Sequence, residues 1–267
     1  MTQNGNGDQA ETRGASPISN AVAVLRCFSV DEPLLGVTDI AARVGLHKSS
    51  VSRILALLES EGLVERDEPT RRFRLGLGII GIAGPLLADL DERRVAYPAL
   101  RELAERTGET TALLLWNGTE AVSVEQIPSR HQVKHTTTLG TRYATTLSAS
   151  VQVFLATEPP ERVREVLAKG ASGTADDDEL AAYERRLAEV SERGYAVNYG
   201  ETSEEEVGVA APVYDHRGDV VAAVLISAPR FRISPEQVAE LGKACAETAA
   251  EVTRRLGGAP ADRSPRP

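Results

Sequence analysis

Apolar and polar positions divide the chain into two patterned regions joined by an apolar stretch. In the first region Ile18, Ala21, Val22, Leu25 and Phe28 recur at helical spacing. They predict a helix starting near Pro17 and stopped at Asp31-Glu32-Pro33. Next comes VTDIAARVGLHKSSVSRILAL, which reads as two short helices. Ile40, Ala41 and Val44 line the first, and Gly45 supplies a turn where positive φ is cheap only for glycine. Val51, Ile54, Leu55 and Leu58 follow at i, i+3, i+4 and i+7, the stripe of a half-buried helix. Gly62 ends that helix. LVERDEPTRRFRLG then reads as a strand, a turn at Asp67-Glu68-Pro69-Thr70 and a second strand carrying Arg71, Arg72 and Arg74. Residues 17–78 are therefore expected to form a winged helix-turn-helix.

GIIGIAGPLLADL, from Gly78 to about Leu90, is apolar but interrupted by Gly81, Gly84 and Pro85, and predicts a kinked linker helix over about 79–94. Its apolar face has little of its own domain to cover, so a contact between two such helices in a dimer is expected. Residues 95–258 then alternate between helix and strand patterns. A helix from about Val95 to Thr107 precedes the strand TTALLLW, a hairpin at Asn117-Gly118, the strand EAVSVEQI and a third strand, QVKHTTT. Helices are expected at about 146–157, 159–169 and 177–193, the last ended by Gly194. YAVN, VGVAAPVYD and DVVAAVLISA give three more strands, and a last helix runs from Ser234-Pro235 to about Leu256. The expected class is α+β: an N-terminal winged helix-turn-helix, a linker helix and a six-stranded α/β domain resembling the sensory GAF type. The polar start, residues 1–16, and the Gly/Pro-rich end, residues 259–267, are expected to be disordered.

Charge sharpens the picture. The 267-residue chain carries a net charge of -9, yet residues 17–78 hold eight Lys/Arg and eight Asp/Glu. Within that neutral segment the cations gather at Lys48, Arg53, Arg71, Arg72 and Arg74, where DNA would lie, a footprint for selective rather than indiscriminate binding. An acidic remainder argues against a nucleoid-like binder. No apolar run is long enough for a membrane span, and the first residues lack the layout of a signal peptide, so the cytoplasm is expected. Cys27 and Cys245 sit in apolar helical patterns and read as buried structural thiols. His47, His131, His135 and His216 show no metal spacing, Asp176-Asp177-Asp178 reads as a solvated helix start, and no catalytic motif is present. No enzyme, cofactor or metal is expected.

Several side chains carry candidate binding chemistry. His47, Lys48, Ser49, Ser50, Ser52 and Arg53 open and line the polar face of the second helix of the pair, short, hydroxylic and cationic, as a helix in a major groove requires. Arg53 either reads a guanine or clamps a phosphate; a surface ion pair to Glu59 or Asp39 is the bland alternative. Ser49 and Ser50 either contact DNA or cap the helix. If Arg71, Arg72 and Arg74 share one strand, Arg72 and Arg74 lie on one face and Arg71 on the other. Trp116, at the end of a buried strand, either packs in the core or lines a pocket. Tyr143, Thr145 and Thr146 precede a helix and either anchor a ligand at its N-terminus or cap it.

AVAVLRCF, LGVTDIAARVGLHKSSVSRILALLESEGLVERD and RRFRLGLGI, with ALRELAERTGET, ERGYAVN and VGVAAPVYDHRGDVVAAVLISAP, resemble the IclR family of bacterial transcription regulators over about Pro17 to Gly257. The resemblance implies a winged-helix domain on palindromic double-stranded operators, a C-terminal domain that senses a small-molecule effector, and a homodimer or dimer of dimers. It implies a repressor in most cases and an activator in others; a GAF-type ligand-binding protein with little DNA role is the alternative from another class. Family pockets place polar side chains at the positions of Asn198, Gly208, Leu225 and Ser227. This sequence departs from the pattern: Tyr143 stands where His is usual, Ser148 and Ala149 replace Gly-Lys, and Asn198 replaces a common acid. With fewer fixed charges, the expected effector shifts from a small carboxylate to a larger or less polar molecule.

Overall fold

The computed structural model describes residues 16–89, 91–136, 138–170 and 177–259. The tails expected at the two ends lie almost entirely outside them, as do Leu90 of the linker stretch and Asp176. The described residues form two compact units, one ending at Asp89 and one beginning at Asp91. Among them no helix is long and apolar enough to cross a membrane.

The first unit opens with α1 (Pro17–Leu25), whose first turn is capped by Ser16 Oγ accepting from Ser19 N at 3.2 Å. α1 is shorter than its pattern suggests. Val24 and Phe28 turn inward, whereas Ile18 and Val22 stay exposed, because Phe28 enters the core from the turn after the helix. α2 (Val37–Val44) ends at Gly45, whose φ of 68° places it in the left-handed region. α3 (Lys48–Ser60) buries Val51, Leu55 and Leu58 against Val24 and Ile40.

β1 (Val64–Arg66) and β2 (Phe73–Leu75) form an antiparallel ribbon with Glu65 opposite Arg74, and Leu35 pairs with Phe73 on the other edge. The second strand of this wing is shorter than expected. Arg71 has a φ of 56° and belongs to the loop, which Asp67 N closes on Arg72 O at 2.8 Å. The backbone then returns to the end of α3. Gly76 N donates to Leu63 O at 2.9 Å and Gly78 N to Gly62 O at 3.0 Å, so close that a Cβ on Gly76 would sit 2.3 Å from Gly62 O. α4 (Gly78–Asp89) follows, with Pro85 inside it.

The second unit starts with α5 (Asp91–Thr107), which begins before the expected Val95. β3 (Thr110–Trp116), β4 (Ala121–Ile127), β5 (Arg142–Tyr143), β6 (Ala196–Tyr199), β7 (Glu206–Tyr214) and β8 (Val220–Pro229) form one antiparallel sheet in the order β5-β4-β3-β8-β7-β6. α5 and α9 (Pro235–Arg255) pack on one face, through Leu100, Leu103, Cys245 and Val252. α6 (Ala149–Leu155), α7 (Pro160–Gly170) and α8 (Asp177–Arg193) cover the other, through Val153, Val163 and Leu187. Cys245 is fully buried, and burial pushes its thiol far up, as for an inert core residue.

Two local readings differ from the structure. The β3–β4 turn is centred on Gly118-Thr119, one residue later than the Asn-Gly pair. Asn117 Oδ1 accepts from Thr119 N and Glu120 N at 3.0 and 2.9 Å and takes the corner itself. QVKHTTT, of which Thr137 lies outside the described residues, is not a strand. Its backbone carbonyls are claimed by side chains instead: Thr110 Oγ1 donates to His135 O at 2.6 Å and Arg232 Nη1 to Val133 O at 3.0 Å. The short β5 takes its place beside β4.

Candidate nucleic-acid interface and effector site

α3 divides cleanly into two faces. Val51 and Leu55 are fully buried, whereas Lys48, Ser49, Ser52, Arg53 and Ala56 are exposed on the far side and Ser50 is half-buried. His47 is the N-cap, with extended backbone and no side-chain cap bond, so Ser49 and Ser50 lie inside the first turn rather than capping it. Asp39 is occupied as the acceptor of Gly36 N at 3.1 Å. Among the described residues of this unit the ion pairs are Arg43–Glu32 and Arg74–Glu65, and neither engages Lys48 or Arg53. The result is a helix face of two cations and two hydroxyls, held rigid by its buried side.

The wing arginines are not equivalent. Of Arg71, Arg72 and Arg74, only Arg74 lies in a strand, and it is paired with Glu65 at 3.0 Å. Arg72 sends Nη1 to Leu34 O at 3.3 Å, and Arg71 sits at the loop end. The expected alternation of all three along one strand does not occur, because the Asp67–Arg72 closure takes Arg71 and Arg72 out of the ribbon. Asp67 accepts from both the backbone and the hydroxyl of Thr70, which holds its carboxyl below the usual carboxylate range.

In the second unit the expected effector residues fall into two groups. Asn198 stands opposite Gly208 and Gly208 opposite Ser227, so these three share one cross-strand row under α6; Leu225, opposite Ala210, is in the next row. Asn198, Leu225 and Ser227 are each 3% exposed or less. A Cβ on Gly208 would meet Asn198 Cβ, Ala149 Cβ and Leu225 Cδ1 at 3.8–3.9 Å. Trp116 belongs to the other end of β3, with Ala121 and Tyr143 in register beside it and its ring stacked on Phe154, centroids 5.2 Å apart. The two groups are separated by the run of β3 from Thr110, opposite Ser227, to Trp116, about 20 Å of extended chain.

Thr145 and Thr146 lie on the approach to α6, whose N-cap is Ser148. Thr145 Oγ1 accepts from Leu147 N at 3.3 Å, and Thr146 O accepts from the Tyr183 hydroxyl at 2.8 Å. Burial pushes the Tyr183 phenol far up, so it remains a donor. Two open clefts lie elsewhere: one of about 720 Å3 between Val133, Tyr199 and Phe231, and one of about 550 Å3 between Arg186, Arg193 and Glu201. None of the expected effector residues lines either.

Pattern reading did not single out Gln152 and Arg186. Gln152, fully buried on α6, donates to Leu147 O at 2.9 Å and accepts from Arg186 Nε at 3.1 Å, and Arg186 also pairs with Glu201. Asn198 Oδ1 holds the same loop through Glu201 N at 2.9 Å. A polar residue inside an apolar helix pattern was the available signal for Gln152.

Comparison with known proteins decides the family. Residues 17–68 match the IclR helix-turn-helix domain, and residues 85–254 match the C-terminal domain of bacterial transcriptional regulators of the IclR type. The chain belongs to the IclR family of transcriptional regulators. The HTH-type transcriptional repressor AllR of Klebsiella pneumoniae is 28% identical over 257 residues, covering 95% of this chain and 94% of its own. A solved IclR-family regulator domain is 62% identical, covers 63% of this chain and 98% of its own, and superposes with a TM-score of 0.61. The structure of an IclR homologue from Microbacterium hydrocarbonoxydans, complexed with 4-hydroxybenzoate, is 26% identical over 91% of this chain and 99% of its own, with a TM-score of 0.74. The IclR-family chain is thus a DNA-binding transcriptional regulator with a helix-turn-helix and an effector-type C-terminal domain.

Proposed function

We propose that the chain is a cytoplasmic, non-enzymatic repressor that binds a palindromic operator as a homodimer, alone or as a dimer of dimers, and releases it when a small molecule enters the C-terminal domain. The reading divides the chain into a DNA-binding domain at 17–78, a linker helix at 79–94 and an effector domain at 95–258. The observation that carries it is the exposed α3 face, where Lys48 and Arg53 are free of ion pairs above a fully buried Val51 and Leu55. Ser49, Ser52 and Arg53 address the major groove. His47, Ser50 and at most two of the wing's Arg71, Arg72 and Arg74 address the flanking backbone.

The dimer reading is supported by exposed apolar side chains in the first unit: Ile18 and Val22 on α1, and Ile80, Ile82 and Leu86 on α4. Ile80, Ile82 and Leu86 recur within two turns of α4, and apolar side chains gathered on one exposed helix are a natural surface for a partner. An effector acts by binding one arrangement of the dimer better than the other; a tenfold loss of operator affinity requires a coupling of about 1.4 kcal/mol. In this reading Trp116, Tyr143, Thr145, Thr146, Asn198, Gly208, Leu225 and Ser227 face the effector. The complex of the Microbacterium homologue with 4-hydroxybenzoate supports a small-molecule effector as such.

The test is selection of genomic fragments by the purified protein at about 0.15 M salt, where nonspecific phosphate attraction is reduced. Enrichment of a few fragments sharing an inverted repeat is the expected result. Absence of enrichment, with and without a cell metabolite extract, defeats the reading. Reporter expression from those fragments then fixes the sign of regulation.

A further inference from the structure

The corner of the second unit where β3, β4 and β5 meet contains two enclosed polar atoms without a hydrogen-bond partner: Trp116 Nε1 and Ser123 Oγ. Ser123 is only 1% exposed. Buried polar atoms are almost always satisfied in native proteins, so two orphans in one place require an explanation.

Their placement supplies one. Trp116 stands opposite Ala121 and Ser123 opposite Leu114, and both Ala121 and Leu114 pack in the layer beneath α6, α7 and α8. The two orphans therefore point to the same side of the sheet. The register makes them diagonal cross-strand neighbours, about 7 Å apart at the backbone and within reach of an aromatic side chain. Phe154 of α6 stacks on the indole, and Tyr143 flanks Ala121. The cations at the rim are committed: Arg142 to Glu120, and Arg162 to Glu165 and to Gly118 O. The corner thus offers one N–H donor, one hydroxyl and aromatic walls, with its nearby cations already paired.

We infer that this corner is the polar end of the effector site, and that it takes an uncharged molecule presenting a hydroxyl or carbonyl oxygen on a flat apolar body. The inference rests on the effector-binding role proposed above. An indole N–H only donates, so the ligand atom facing Trp116 must accept; the Ser123 hydroxyl donates to the same oxygen or accepts from a ligand hydroxyl. A carboxylate would be buried here without a counter-charge, which is strongly disfavoured. Ser123 is the specificity-determining residue of this end.

Trp116 is the chain's one tryptophan, so its fluorescence reports on this corner alone. The full chain and its Ser123→Ala variant are titrated with 4-methylphenol, toluene and benzoate, exciting where phenols do not absorb. 4-Methylphenol should saturate, with toluene and benzoate requiring about tenfold higher concentration or more. Ser123→Ala should weaken 4-methylphenol about fivefold, the loss of one hydrogen bond, and leave toluene unchanged. The variant should also melt no lower than the parent when ligand-free, since the hydroxyl it removes has no partner.

Equal affinity for toluene, tighter binding of benzoate, no saturable response, or an affinity for 4-methylphenol untouched by Ser123→Ala each overturns the inference. The last result would make the corner a site for an ordered water. Operator release by metabolite extract, measured on the same two proteins, separates the layers. No release from the parent defeats the effector role itself, whereas equal release from both proteins defeats only the assignment of Ser123.

Discussion

The Arg232 guanidinium closes on the Glu109 carboxylate through two parallel hydrogen bonds, Nε to Oε1 at 2.6 Å and Nη2 to Oε2 at 2.7 Å. Glu109 is 2% exposed at the entrance to β3, and Arg232 follows β8, so the pair ties the centre of the sheet to the segment before α9. The partnership also holds the Arg232 guanidinium more firmly protonated than usual. Arg232→Ala leaves a carboxylate buried without its cation. The expected cost is about 3 kcal/mol of unfolding free energy in the C-terminal unit, read by chemical denaturation. A loss under about 1 kcal/mol would show that the pair adds little to the fold, as exposed pairs do.

For DNA recognition, Arg53→Ala should cost about 2 kcal/mol of specific operator binding while the far-UV circular dichroism stays that of the parent. Arg74→Ala should cost less, because Arg74 is already paired with Glu65. Equal losses for the two variants in a gel-shift titration would contradict the ranking of helix over wing.

The wing loop carries a pH signature. Thr70 donates to Asp67 from both its backbone and its hydroxyl, and the Asp67 carboxyl lies below its ordinary range. A carboxyl whose pKa is depressed by folding contributes stability above its unfolded pKa, about 4, and loses it as pH falls through the folded value. Neutral pH should therefore leave the loop untouched. Carbon-detected NMR titration should find Asp67 still ionised below about pH 4 in the parent and returned toward the ordinary value in Thr70→Val.

The element pattern was legible where periodicity and burial agree. The i, i+3, i+4, i+7 stripe of Val51, Ile54, Leu55 and Leu58 and the strand runs TTALLLW and VGVAAPVYD need only local physics, and the structure buries most of their apolar members, with Ile54, Leu115 and Trp116 half-buried. Pattern fails where side chains compete for backbone groups. His135 O and Val133 O are taken by Thr110 and Arg232, residues distant in sequence, and no local pattern reports that. Alternation puts Arg71 in a strand because it carries no information about a left-handed residue. In the C-terminal unit the resemblance supplied positions but not their spacing in space. Only the register reveals that Asn198, Gly208 and Ser227 form one row while Trp116 stands at the far end of β3. Ser123 is silent in the sequence, because a serine in an alternating strand carries no signal until its missing partner is seen.

Gly208 separates packing from sensing. A methyl group placed on its Cα would find the nearest side-chain atoms at 3.8–3.9 Å, ordinary contact distance. Gly208→Ala should fold with its midpoint nearly unchanged, whereas Gly208→Phe overpacks the layer under α6 and should cost about 1–3 kcal/mol. If Asn198 and Ser227 face the effector, the alanine variant should already need more effector for operator release while ligand-free DNA binding holds. An unchanged release curve would move the ligand away from that row.

The glycine contact between the wing and the end of α3 bears on how a signal reaches DNA. Gly76 and Gly78 lie against Gly62 backbone to backbone, with no flexible side chain between them to absorb a displacement. The first turn of α4 is thereby held against the residues that directly follow α3. A twist applied to α4 is spent as reorientation of α3 or as bending farther along α4, around Gly81, Gly84 and Pro85. The stiffness of those few residues sets the transmission ratio of the device.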